Sequence, residues 1–312
     1  MDPRGEALAI TGERFDVRVH EPSPPTIAEP PFVADLLAPA ADGRPVLSPV
    51  SGGDVLWDDL ARSEPKLRTF CTQRWLGAYA RLGSPPPGYG PTREALHRLA
   101  EHVVSPTMQR ANGEIALRFS RGGFATKFFG NDVSLRVEAD LLHMQVAERV
   151  QSQEITSLAE AAGFVGFDLT RFDAAAAEEP LAIEAAASRY LGDVYGFAFS
   201  VLEELRARSR ELEPSLVNLW PQHFDVAVEL GSDHRGLRAA YGVSPGDAAH
   251  PEPYAYVAPW TARPVGELWN AQGFAGAEFT LAELQSADDQ RAAALDFFAE
   301  RLAALVASGP DD

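Results

Sequence analysis

Cysteine is almost missing from this chain of 312 residues. Cys71 stands alone, which excludes an intramolecular disulfide and any zinc cage built from thiolates. It falls among Leu67, Phe70, Trp75 and Leu82 at helical spacing and reads as a core residue. Basic side chains are scarce as well: 27 lysines and arginines face 45 aspartates and glutamates, a net charge of -18, and no basic stripe offsets it. Such a surface repels phosphate backbones and anionic headgroups, so neither nucleic acid nor a membrane is expected as a partner. No apolar run approaches a membrane span, and the amino-terminal MDPRGEALAITG lacks a leader pattern, so a cytoplasmic location is expected. Phosphate loops are lacking too. Ser51-Gly52-Gly53-Asp54 has no Lys-Ser/Thr after it, Gly122-Gly123 reads as a hairpin turn, and no nucleophile elbow, dinucleotide fingerprint or kinase set is found.

What is present is ordinary globular composition, 46% hydrophobic and 23% charged, in an uneven arrangement. Residues 1–55 are proline-rich and show no sustained period, so an extended or irregular segment is expected. An amino-terminal half, 56–170, and a carboxy-terminal half, 171–312, follow, as two units or one compact domain. The first half predicts a helix over Trp57–Leu82, and a second capped by Thr92 and stopped by Ser105-Pro106. It then predicts four strands separated by short turns, from Ile115 to Val146. His97 and His102, five apart on that second helix, lie on different faces and make poor joint metal ligands. Ser157 and Glu160 read as a capping box, and Asp168–Pro180 as a linker.

The second half repeats this order: a long helix over Leu181–Arg208, a hairpin, strands near Tyr254–Val257 and Ala275–Phe279, and a capping box at Thr280 and Glu283. The fold class that follows is α+β, in two similar halves, each an antiparallel β-meander with flanking helices.

The densest mixture of aromatic, acidic and imidazole groups runs from Leu219 to Trp260. Phe224, Val226, Val228 and Leu230 alternate with Asp225 and Glu229, and Leu237, Ala239, Tyr241 and Val243 alternate after a polar turn. Pairing Leu230 with Leu237 sets Glu229 opposite Arg238 and leaves His223 beside the loop Pro245–Pro253. One end of the hairpin thereby gathers His223, Asp225, Asp247, His250 and Glu252. His223, Asp225 and His250 are the candidate catalytic residues, because a carboxylate beside an imidazole fixes its tautomer and raises its basicity. The same three would be the ligands of any divalent metal. Trp220, Asp247, Glu252, Tyr254 and Trp260 are candidate ligand contacts, with Tyr256 beside them, since aromatics combine apolar area with a polar tip. The alternatives are turn-forming roles for the polar groups and core roles for the aromatics.

LWPQHFD (219–225), SPGD (244–247), HPEPYAY (250–256) and GGFATKFF (122–129) together resemble a largely actinobacterial family of uncharacterised proteins classed as a domain of unknown function. The likeness covers most of the chain after residue 55 and implies no activity, cofactor or partner. Small-molecule binding, with acid/base or metal-assisted catalysis at the His/Asp cluster, is the first functional expectation. The alternative is a non-catalytic interaction or scaffold protein whose contact segment is the proline-rich amino terminus.

Overall fold

The alternation of apolar and polar side chains builds two five-stranded antiparallel sheets, each a meander. The computed structural model describes residues 79–130, 133–146, 149–169, 172–261 and 264–308, together with four short strands nearer the amino terminus. Those strands pair as two hairpins, β1 (Ala7–Ile10) with β2 (Glu13–Asp16) and β3 (Phe32–Asp35) with β4 (Val46–Pro49). The first 55 residues thus hold regular pairing that their proline content conceals. Cys71 and residues 57–78 of the expected helix lie outside the described residues, and 79–82 are not helical.

In the first half, helix α1 (Tyr89–Leu99) begins after Gly88, whose φ of 75° suits a residue without a Cβ. Thr92 is therefore inside the first turn rather than at the cap, with its N–H donated to the Gly88 carbonyl at 3.0 Å. Ser105-Pro106 does not stop the helix either. A π-helical turn over Ala100–Val104 leads into α2 (Ser105–Asn112), so Pro106 falls in a first turn, where its missing N–H needs no acceptor.

The meander that follows runs β5 (Arg118–Ser120), β6 (Gly123–Ala125), β7 (Val133–Glu138), β8 (Leu141–Val146) and β9 (Arg149–Glu154). The fifth strand is a correction to the four expected. Its sequence, RVQSQE, has one apolar residue and hence no alternation to detect, yet it pairs with β8 residue for residue. The Ser157 hydroxyl then accepts the Glu160 N–H at 3.1 Å to start α3 (Leu158–Val165). The expected linker contains α4 (Ala174–Glu178), because the Asp173 carboxylate caps a run of strong helix formers.

The second half comprises α5 (Ala185–Arg208), then β10 (Asn218–Trp220), β11 (Asp225–Leu230), β12 (Ala239–Ser244), β13 (Tyr254–Pro259) and β14 (Ala277–Thr280). It closes with α6 (Leu281–Ser286) and α7 (Gln290–Ser308). At the start of α6, Thr280 accepts the Glu283 N–H at 3.3 Å and Glu283 accepts the Thr280 N–H at 2.8 Å. Replacing Thr280 by alanine should cost about 1 kcal/mol, read as a lowered chemical-denaturation midpoint at unchanged slope.

The two sheets meet at their edges. Leu117 and Leu219 exchange both backbone hydrogen bonds, at 2.8 and 3.0 Å, setting β5 against β10. Helix α5 lies along this seam against β5, β6 and β7 of one sheet and β11 and β12 of the other. Its stripe of Ala187, Leu191, Val194, Ala198, Val201 and Leu205 is buried as the periodicity requires. Gly192 lets the helix backbone rest on the backbone of Gly122 and Gly123. Among the described residues, buried side chains from Tyr79 to Leu305 form one continuous core.

The signature hairpin exists with a register two residues away from the one expected. Val226 faces Val243, Val228 faces Tyr241 and Leu230 faces Ala239. A shift of two keeps every side chain on its face, so hydrophobic pattern alone cannot detect it; the longer turn, from Gly231 to Arg238, sets it. Glu229 is consequently diagonal to Arg238, and the two still form an ion pair at 2.9 Å.

Candidate functional site

Residues of one parity on β10–β14 face α5 and α7, and those of the other parity form a second, largely polar face. Asn218, Ala227, Gly242, Tyr256 and Glu278 make one row across all five strands. In the next row Trp220 lies opposite Asp225 on one side, and Ser244, Tyr254 and Thr280 line up on the other. Small residues in the middle of the first row have a structural effect. A Cβ on Gly242 would overlap the Tyr256 ring, so its absence lets Tyr256 lean from β13 across β12 and donate its hydroxyl to Asp225 Oδ2 on β11.

Asp225 is only 6% exposed, and its other oxygen, Oδ1, has no hydrogen-bond partner among the described residues. Burial drives the carboxyl above the usual aspartate range, against the lowering influence of the Tyr256 hydroxyl, the nearby His223 imidazole, the residue's own backbone N–H and the His97 imidazole. Burial also holds the Tyr256 phenol well above the usual tyrosine value, and the adjacent carboxylate adds to it. The chain enters β11 through an uncommon backbone. Phe224 has φ 57°, a left-handed conformation that strains an aromatic residue. It is held there by the Tyr195 hydroxyl, which donates to the Phe224 carbonyl at 2.9 Å. His97 of α1 stacks on its ring, with centroids 4.9 Å apart and planes 3° from parallel. His97 Nε2 is buried and without a hydrogen-bond partner among the described residues.

A second group lies under the loop after β12. Asp247 Oδ1 accepts the N–H groups of Ala249 and His250 at 2.7 and 2.8 Å, and Oδ2 accepts the Tyr254 hydroxyl at 3.2 Å. Although partial burial opposes it, these donors hold the Asp247 carboxyl below the usual range. His250 stands between two carboxylates, Nδ1 3.5 Å from Asp247 and Nε2 3.3 Å from Glu278, and packs on the Tyr254 ring at 4.6 Å. Glu278 Oε1 is buried and lacks hydrogen-bond geometry to any donor among the described residues. Helix α1 fixes the loop: Tyr89 donates to the Pro245 carbonyl at 2.7 Å, and Arg93 donates to those of Asp247 and Pro251 at 3.1 and 3.2 Å. Gly246, at φ 97°, admits the Arg93 guanidinium where a Cβ would stand. The Tyr254 and Tyr256 rings, 6.2 Å apart, link this group to Asp225.

The candidates from the sequence are therefore distributed. Asp225 and Trp220 are adjacent, and Asp247, His250 and Tyr254 touch one another. His223 is exposed in the turn before β11, not within the strand, and makes no hydrogen bond or ion pair among the described residues; its charge reaches Asp225. No hydrogen bond or ion pair joins it to His250. Glu252 is exposed in the loop, and its charge acts on Tyr190. Trp260 stands at the far end of β13 from Tyr254, 49% exposed, with the Arg238 guanidinium 5.7 Å from its ring centroid. Among the described residues, no three His, Cys, Asp or Glu side chains are grouped so as to hold a metal ion.

The sequence also left contributors unrecognised. Tyr89, Arg93 and His97, spaced four apart, share one face of α1, a pattern that marks a helix applied to something polar. Gly242 amid strand formers signals a close approach. Glu278 could be read only as a solvent-side strand residue. Compared with protein-family models, curated proteins and solved structures, the chain matches none.

Proposed function

We propose that this chain binds a small molecule at the polar face of the carboxy-terminal sheet, with Asp225 as its anchor and Asp225 and Tyr256 as an acid/base pair. The observation that carries the reading is the Asp225 carboxyl: buried, bonded by Tyr256 through one oxygen, and with no hydrogen-bond donor on the other among the described residues. Buried carboxylates are ordinarily satisfied on both oxygens, since an unpaired one costs several kcal/mol. An unsatisfied group beside a strained backbone and a second unpartnered polar atom, His97 Nε2, is the pattern of a site shaped for a partner other than itself. Trp220 opposite Asp225 supplies an aromatic wall, and His223 an exposed imidazole at the rim. A cytoplasmic location accords with this reading and belongs to the same proposal.

The test is a screen of a chemically diverse fragment library by thermal shift, on the native chain and on Asp225→Asn. Hits are expected that disappear in the variant; identical hit sets in the two proteins would overturn the reading.

A pH dependence follows from the same carboxyl. Its folded-state value is raised, so the folded chain holds this proton more tightly than the unfolded chain. Stability relative to Asp225→Asn should then fall as pH rises from the unfolded aspartate value, about 3.9, through the higher folded value, and level off above it. Denaturation of both proteins at several pH values measures the difference. A native chain that gains stability on Asp225→Asn as pH rises would contradict the assignment.

A further inference from the structure

Resting on the reading of Asp225 as a ligand anchor, we infer that the ligand carries a protonated nitrogen, as an amine, amidine or guanidine, which donates to Asp225 Oδ1. The inference comes from a count of charges and donors on this face. Asp225 faces Tyr256 from β13, Tyr195 from α5, His97 from α1 and His223 from the preceding turn. No arginine or lysine is among them. The two arginines at the edge of the face are engaged elsewhere: Arg93 donates to the carbonyls of Asp247 and Pro251, and Arg238 to Glu229 and to the carbonyls of Glu213 and Gly231.

Glu278, three strands from Asp225 or roughly 14 Å between backbones, presents a second buried carboxylate oxygen, which is 3.3 Å from His250 Nε2 and has no donor in hydrogen-bond geometry among the described residues. The rings of Tyr254 and Tyr256 stand between the two acids. Among the described residues, imidazoles are the cationic groups beside these acids, and no N–H donor is in hydrogen-bond geometry to Asp225 Oδ1 or Glu278 Oε1. Acceptors abound. An anion would add to the buried negative charge of these acids, and a neutral hydroxyl would satisfy one lone pair while adding no opposing charge. An ammonium or amidinium supplies both the charge and the donors, and charge-assisted hydrogen bonds of this kind are the strong ones. The aromatic rings add a surface on which a cation is favoured.

Burial favours the protonated Asp225 carboxyl, whereas an ammonium N–H at Oδ1 favours the carboxylate, so proton and amine compete for the same oxygen, with no bond to carbon made or broken. Affinity for amines should accordingly fall as pH is lowered.

The experiment uses the full chain and three probes of one shape, benzylamine, benzyl alcohol and benzoate, titrated calorimetrically at several pH values. Benzylamine is expected to bind more weakly as pH is lowered and to lose at least about tenfold in affinity in Asp225→Asn. Asp225→Ser, which removes the carboxylate and leaves a smaller side chain, should lose benzylamine binding likewise, and this variant keeps the test decisive if Asp225→Asn does not fold. Undiminished benzylamine binding in these variants, or failure of benzylamine to bind the native chain at all, would overturn the inference. Asp225-dependent binding of benzyl alcohol or benzoate as tight as that of benzylamine would overturn the cationic class while leaving the anchor intact. If neither the amines nor the fragment library bind in an Asp225-dependent way, the anchor reading itself falls.

Discussion

Replacing Gly242 by valine is expected to destabilise the protein by roughly 2–4 kcal/mol, although valine is the better strand former. The reason lies across the strand. A Cβ at position 242 would overlap the ring of Tyr256, at the atoms around its hydroxyl. The ring must then leave Asp225, and the carboxyl loses the Tyr256 hydroxyl from Oδ2. Overpacking a filled site costs about 1–3 kcal/mol, and a hydrogen bond to a charged group adds about 1.5–3 kcal/mol, the two overlapping because one displacement causes both. A double-mutant cycle with Tyr256→Ala separates them. With the ring already removed, valine at 242 should cost little, giving a coupling of 1–3 kcal/mol in order of magnitude. Additive effects would mean that Gly242 is needed for some reason other than passage of the Tyr256 side chain.

The second large effect is expected at Gly192, in the middle of α5. Substitution by leucine, a stronger helix former, should lower stability by at least about 3 kcal/mol. A side chain there meets backbone, the N of Gly123 and the C and Cα of Gly122, which cannot rotate away as a side chain could. Accommodating it requires α5 to lift from the β5–β6 turn, and α5 also supports β11 and β12. Equilibrium denaturation measures the loss. A Gly192→Leu protein as stable as the native one would show that the helix does not rest on the hairpin. Because Tyr195 donates to the Phe224 carbonyl from the next turn of the same helix, the variant should also weaken ligand binding at Asp225. Glu229→Gln, which removes only a partly exposed ion pair with Arg238, should change stability by less than about 1 kcal/mol and serves as a control.

Fold class was legible in the sequence because it rests on periodicity. Val226, Val228 and Leu230 alternate, and the α5 stripe repeats at 3.6; the structure buries both sets. Misreadings arose where another force decided the outcome. RVQSQE forms β9 through backbone pairing with β8, which leaves no mark in side-chain pattern. Pro106 reads as a stop only if the helix before it is regular, and the π-helical turn over Ala100–Val104 is invisible in composition. The hairpin register depends on the length of the turn from Gly231 to Arg238, not on which residues are apolar.

The site was legible by half. Asp225, Trp220, Asp247, His250 and Tyr254 fall in the window where acidic and aromatic residues concentrate, and the structure brings them to one face in two groups. The partners that give Asp225 its character come from farther away. His97 stands 128 positions before it and Tyr195 thirty positions before, so no local pattern couples them. His223 looked like a strand residue facing Asp225 because the alternation was extended one step too far, through Phe224, whose left-handed φ ends the strand.

The most direct measurement is a carbon-13 NMR titration of the Asp225 side-chain carboxyl in the unliganded protein, assigned by comparison with Asp225→Asn. A buried carboxyl with one oxygen lacking a donor should protonate above the ordinary aspartate value of about 3.9, and its titration should move downward when an amine occupies the site. A carboxyl that titrates at or below the ordinary value, unmoved by any amine, would mean that Asp225 is already satisfied within the fold and is not the anchor of a ligand.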